Sequence, residues 1–257
     1  MTISKIEKEW ERYGAENAYY TVLTDEKYRA ENLDEKMLDD FFDSGENHVQ
    51  RIWHEIESSL VSQFSPRRGL DFGCGVGRLT LPLAAKCGEV VGVDISANMV
   101  TEAEQNRARK NVVNASFVKD DGTFSNVSGS FDFIHSFIVF QHIEPALGQD
   151  IARRLIEKLE IGGIGVLQFV YRDKTPPLTQ LRVRLYRDYW FIRALRNFVL
   201  QAKTESVASI FPMNTYNLNN LFAILQENDC HRCAVRFSDH HFDGVVLFFQ
   251  KGREALY

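Results

Sequence analysis

Long apolar runs are missing from this chain: no stretch approaches the roughly 18 uninterrupted apolar residues that a membrane-spanning helix needs. Cysteine is scarce, with four in 257 residues, which is no disulfide framework at this length and suits a reducing compartment. The opening MTISKIEKEWERYG lacks the apolar core of a secretory leader, so a cytoplasmic protein without a membrane partner is expected. Positive charge is not in excess. Thirty Lys and Arg stand against 35 Asp and Glu, a net of −5, which argues against a nucleic-acid backbone as the main partner. Internal repeats and low-complexity tracts are absent too. What is present, 44% apolar and 25% charged residues, is the composition of a globular protein. It is long enough to bury one α/β core carrying an added segment or lid.

The most informative stretch is GLDFGCGVGRLTLPLAAKCGEVVGVD, from Gly69 to Asp94. Leu70-Asp71-Phe72 ends a short apolar strand, Gly73 to Gly77 is a glycine-rich turn, and Arg78 to Lys86 has the apolar spacing of a helix. Val90 to Val93 is a second buried strand that stops at Asp94. A turn without bulky side chains at a helix start lets a ligand approach the backbone. An acid at the tip of the next strand can accept from the hydroxyls of a ribose. The glycines are spaced G-x-G-x-G, not the G-x-G-x-x-G of a pyrophosphate-binding dinucleotide turn.

With Asp71 before it and Asp94 after it, this spacing resembles the first two motifs of the class I S-adenosylmethionine-dependent methyltransferases. The resemblance spans roughly residues 65 to 171, with looser agreement over 215 to 251. It implies a Rossmann-like, seven-stranded, mostly parallel sheet with an antiparallel last strand and helices on both faces. It also implies S-adenosyl-L-methionine as cofactor and S-adenosyl-L-homocysteine as product. Carried over residue by residue, it puts Gly73, Cys74, Gly75, Gly77 and Arg78 on the methionine and ribose side, and Asp94 at the ribose. Asp71 would orient the methionine amino group, directly or through water. Ile95 and Met99 would lie against the adenine ring, with ordinary core packing the alternative for both. Asp121, beside Gly122, would accept from the adenine amino group, with Asp120 as the alternate. FDFIHSFIVFQHI, from Phe131 to Ile143, resembles the family's fourth motif, which brings the backbone near Ser136 and Phe137 to the methionine amine. His142 then stands where an imidazole could take a proton from a hydroxyl or amine acceptor. A metal is not expected, since Cys230-His231-Arg232-Cys233 has no second pair of ligands at suitable spacing.

The flanks suggest the remaining organisation. Residues 1–64 read as an N-terminal helical arm, a packing segment or a lid. The first 60 residues carry 15 acids against 7 bases. Helical spacing appears at Ile3-Ile6-Trp10 and from Leu33 to Phe42, with a loop between, and Asn47 to Phe64 is a further amphipathic helix that leaves His48 and His54 solvated. Residues 65–171 form the cofactor-binding core, and 172–212 a basic helical insertion that would serve as substrate cap or dimer contact. Residues 213–257 complete the core with a helix, starting near Thr215, and a terminal hairpin. The expected partner is a small-molecule methyl acceptor. Three rivals stay open: protein or RNA methylation, a nicotinamide oxidoreductase, and a non-catalytic nucleoside-binding protein.

Overall fold

The computed structural model describes residues 3–174, 213–240 and 242–252. Seven strands form one sheet in the order β3-β2-β1-β4-β5-β7-β6. In chain order they are β1 Arg68–Phe72, β2 Glu89–Asp94, β3 Ala115–Lys119, β4 Phe131–Ser136, β5 Leu159–Asp173, β6 Arg232–His240 and β7 Phe242–Gln250. The first five run parallel, while β7 lies antiparallel between β5 and β6. Both faces are covered, so neighbouring residues of a strand enter different cores and the strands read as continuous apolar runs. Phe133 and Val166 face the core that holds Trp53 and Ile56, whereas Ile134 and Leu167 face the one that holds Leu155 and Leu225.

Six helices flank the sheet among the described residues: α1 Ile3–Val22, α2 Glu35–Ser59, α3 Thr80–Ala84, α4 Ala97–Arg109, α5 Pro145–Lys158 and α6 Leu218–Glu227. The cap expected at Ser96 is present, its hydroxyl accepting from the Met99 amide. Other boundaries differ from the sequence expectation for local reasons. The stretch after Gly14 stays helical through Val22 because Tyr19 and Tyr20 are buried there. Asn17 leaves helical geometry at φ −156° and ψ 60°, and its side chain accepts from Ala30 N. The helices expected on either side of residue 47 are one continuous α2. Gly45 lies inside it where α2 passes so close to the Arg78 carbonyl that a side chain there would collide with it. α6 starts at Leu218 with Asn217 as its cap, since Tyr216 is buried with its hydroxyl donating to backbone carbonyls of the Phe140–Ile143 turn. Lys174 is the last described residue before 213, so the insertion expected over 172–212 lies almost wholly outside the described residues.

Candidate active site

Open α/β sheets bind ligands beyond the carboxyl ends of the strands, where the strand order reverses. Here that point falls between β1 and β4, and a cavity sits there. Its floor is made by the strand ends: Asp71, Phe72 and Gly73 from β1, Asp94 and Ile95 from β2, Asp120 and Asp121 after β3, and Phe137 after β4. Cys74 and Arg78 line it from the glycine turn, and Ile143, Leu147 and Ile151 close the side toward α5. Across the top lie Ile6, Trp10, Thr21 and Val22 of α1. That helix is anchored on α4 and β3: Glu11 accepts from Ser96 Oγ and Asn98 N, Tyr19 donates to Glu102, and Glu7 pairs with Lys119 at 2.7 Å.

The glycine turn works differently from a phosphate cradle. Gly73 and Cys74 both donate their amides to Val93 O, and Gly75 donates to Asp94 Oδ2 at 2.9 Å. These N–H groups hold the turn to β2, and the glycines' use is the absence of side chains. Gly73 and Gly75 have φ of 75° and 53°, and a Cβ on either would meet Val139 or Val22 at the cavity wall. Such a cradle suits a ligand that packs its chain against backbone and carries no pyrophosphate.

Acidic groups are divided by their surroundings. Asp94 accepts from Gly75 N and Ser96 N, and desolvation pushes its carboxyl up to about 6. Asp120 is buried and accepts from the amides of Gly122, Phe124 and Asn126, so its carboxylate is an internal brace for the loop. Asp121 is exposed; its Oδ1 accepts from Thr123, and its Oδ2 has no hydrogen-bond partner among the described residues. Of the two adjacent acids, Asp121 is therefore the one with a free acceptor on the cavity. Arg78 is buried with Nη1 against Ser44 Oγ, and desolvation lowers its guanidinium to about 10 despite the nearby Asp71.

His142 ends a short 3-10 turn, Phe140–His142, and faces the cavity with its ring 5.3 Å from that of Trp10. Its Nε2 lies 3.2 Å from Gln141 Nε2. An amide nitrogen can only donate, so that contact puts a lone pair on the imidazole Nε2. The backbone just before is unusual: Ile138 holds a φ of 62°, fixed by Gln168 Oε1 accepting from its amide. A β-branched residue in this region is strained and redirects the chain at the end of β4.

Nine of the residues placed in the site from the sequence line the cavity, Asp71, Gly73, Cys74, Arg78, Asp94, Ile95, Asp121, Phe137 and His142, and so does the alternate Asp120. Gly75, Gly77, Gly122 and Met99 do not. Met99 is buried in the core under α1, close to Gly14, and Gly77 and Gly122 pack against Phe117 and Ile151. The N-terminal arm, read from sequence as a packing segment or a lid, supplies Ile6, Trp10, Thr21 and Val22 to the wall, but these residues, Val139 and those of α5 were not singled out, because only the tertiary fold brings them there. His48, expected in solvent, is instead packed 4.2 Å from Phe137 and 5.7 Å from His135, ring centre to ring centre, and burial lowers its imidazole to about 2.

Residues 70–163 match a family model described as a methyltransferase domain. Magnesium protoporphyrin IX methyltransferase of Synechocystis PCC 6803, crystallised with bound S-adenosylhomocysteine, is similar with a TM-score of 0.61 and 19% identity. The match covers 96% of this chain and 100% of that one. The match to a methyltransferase domain over residues 70–163 and the fold shared with this enzyme agree with one another. N-methyltransferase NodS from Bradyrhizobium japonicum WM9 shares the methyltransferase fold at a TM-score of 0.57 and 18% identity, over 96% of this chain and 98% of that one. Local sequence likeness extends to 23S rRNA (uracil(1939)-C(5))-methyltransferase RlmD. The Stenotrophomonas maltophilia (strain K279a) protein is 35% identical over 117 residues, 46% of this chain. The Aeromonas salmonicida (strain A449) protein is 50% identical over 73 residues, 26% of this chain. The chain spans 22% and 17% of the length of those two relatives. Among the described residues, no helix of the chain is long and apolar enough to cross a membrane.

Proposed function

We propose that this methyltransferase domain binds S-adenosyl-L-methionine and transfers its methyl group to an oxygen or nitrogen of a small-molecule acceptor, such as a sugar or secondary metabolite. The observation that carries this reading is the cavity itself. The glycine turn, Asp94 and Asp121 sit on one side, and α1 closes the top with Ile6, Trp10 and Val22. In this reading Asp94 accepts from the ribose hydroxyls and Asp121 from the adenine amino group, with Ile95 and Leu147 beside the base. Asp71 faces the methionine amino group, and Gly73 and Cys74 give its chain room.

Bound S-adenosylmethionine supplies a methyl carbon activated by a sulfonium, which leaves as a neutral thioether. The chain's own task is then alignment, exclusion of water and removal of one proton. α1 and Phe137 exclude water. His142 takes the proton at Nε2 once the acceptor replaces the Gln141 amide there.

RNA methylation is the second reading, favoured by the local likeness to the RlmD relatives. The net charge of −5 and a cavity roofed by apolar side chains count against it. Calorimetric titration with S-adenosylhomocysteine, with NAD as control and Asp94→Ala alongside, tests the cofactor. Micromolar binding lost in Asp94→Ala supports the reading, whereas binding of NAD, or of neither, sinks it. Release of S-adenosylhomocysteine with a panel of small hydroxyl and amine acceptors, against a 23S rRNA transcript, then separates the two acceptor classes. No turnover with any acceptor, despite tight binding, would favour a non-catalytic nucleoside-binding role.

A further inference from the structure

His135 lies one residue before the carboxyl end of β4, in register with Asp71 on β1, and is completely buried. Phe133 and Ile134 before it are buried, and Ser136 after it is buried with its hydroxyl donating to Phe72 O. Packing alone would be served by another Val or Ile at this point, since burying a polar side chain is unfavourable unless its bonds are made. One of them is made to a single target. His135 Nδ1 is 2.8 Å from Asp71 Oδ1, and because a carboxylate only accepts, Nδ1 carries the hydrogen. The other oxygen, Oδ2, accepts from Thr80 Oγ1 at 2.6 Å, and Thr80 is as fully buried as His135. Behind the imidazole stands the ring of His48, which also touches Phe137 at the cavity wall. Asp71, itself buried, is thus gripped from the next strand and from α3 while it lines the cavity. Carboxylate torsions are broad when unconstrained, and two donors from opposite elements fix this one in a single orientation.

We propose that His135 is a positioning residue that, together with Thr80, aims the Asp71 carboxylate at the amino group of the methionine moiety of the cofactor. This rests on the cofactor reading above and adds what that reading leaves open, namely how the acid is oriented. A network that only stapled β1 to β4 would support every ligand of the cavity alike. A positioning network acts only on ligands that carry the amino acid.

The two are separated by titrating S-adenosylhomocysteine and 5′-methylthioadenosine. The second keeps the adenine, ribose and thioether and lacks the amino acid. Wild type binds S-adenosylhomocysteine the more tightly. In His135→Leu that preference falls by about tenfold or more, while 5′-methylthioadenosine binds within twofold of wild type. His135→Asn, whose Nδ2–H stands in for Nδ1–H, keeps most of the preference. Thr80→Val shifts the preference in the same direction and serves if His135→Leu does not fold, as judged by its melting transition. Equal weakening of both ligands, or an unchanged preference in both His135→Leu and Thr80→Val, overturns the proposal. Failure of wild type to bind either ligand overturns the cofactor reading instead, and this inference with it.

Discussion

Gly75 donates its amide hydrogen to Asp94 Oδ2 at 2.9 Å, so the glycine-rich turn and the acid at the end of the neighbouring strand are one unit. Ser96 N occupies the other oxygen, Oδ1. Each oxygen retains a lone pair for an incoming hydroxyl only while the carboxyl is ionised. Desolvation has pushed that ionisation up to about 6. Below this value the group is protonated and loses acceptor capacity; above it both oxygens accept. Affinity for S-adenosylhomocysteine is therefore expected to fall as pH drops through 6, by up to about tenfold per pH unit for one linked proton, and to level off above 7. Asp94→Asn should bind more weakly and with no step near 6. Calorimetry from pH 5 to 8 checks both, and a wild-type profile without the step would count against Asp94 as the ribose acceptor.

The turn's second requirement is space. A Cβ at Gly73 would run into the side chain of Val139, and its φ of 75° disfavours any L side chain. Gly73→Ala is expected to destabilise the fold by about 1–3 kcal/mol, the usual range for overpacking, and to weaken S-adenosylhomocysteine binding. Adding Val139→Ala relieves the collision but not the backbone strain, so the double variant should recover part of the melting temperature. Full recovery would mean that the φ carries no cost, and no recovery that Val139 is not the obstacle.

The strands were legible because both faces are covered and they run apolar throughout, and the β1-turn-α3-β2 unit is compact in sequence; the seven-stranded, mostly parallel sheet followed from the family resemblance, and the order of its strands is given by the structure. Asp71, Gly73, Asp94 and Asp121 could be found for the same reason, since each sits at a strand end next to its motif. The opposite wall was legible only as a helical arm or lid, without its residues. Trp10 and Val22 reach the cavity only because Glu11 and Tyr19 dock α1 onto α4, contacts between residues more than 80 positions apart. His48 was misread for a related reason. It lies off the main apolar stripe of α2, and only the packing of that helix against the end of β4 buries it against Phe137. The two helices expected over 33–42 and 47–64 are one, with Gly45 inside the helix where α2 passes the glycine turn.

Gly45 gives a prediction opposite to helix propensity. Replacing an interior helical glycine by alanine ordinarily stabilises by up to about 1 kcal/mol. Here the added methyl would collide with the Arg78 carbonyl, a backbone atom that cannot swing aside, at the place where α2 crosses the glycine turn. Gly45→Ala should therefore lower the melting temperature, by roughly 2–4 °C for each kcal/mol lost in a chain of this size. A rise in thermal denaturation would show that the crossing is looser than the packing indicates.

His142 is where acceptor chemistry can be read independently of cofactor binding. Its ring rests on Trp10 at the roof, and its Nε2 lone pair is directed to the Gln141 amide. An acceptor hydroxyl loses its proton during transfer and so needs a base, whereas an amine acceptor already neutral in solution does not need one before the methyl arrives. For a hydroxyl acceptor, His142→Ala should lower kcat by about 10²–10⁴-fold, the usual contribution of a positioned base, with S-adenosylhomocysteine affinity within threefold of wild type. For a neutral amine, the same change should lower kcat much less. His142→Gln, which fills the site without a titrating group, should follow His142→Ala in kcat while preserving the packing on Trp10. Single-turnover release of S-adenosylhomocysteine across pH 6 to 9 measures these rates. If both variants keep wild-type rates with a hydroxyl acceptor, His142 is a wall residue and the proton leaves by another route.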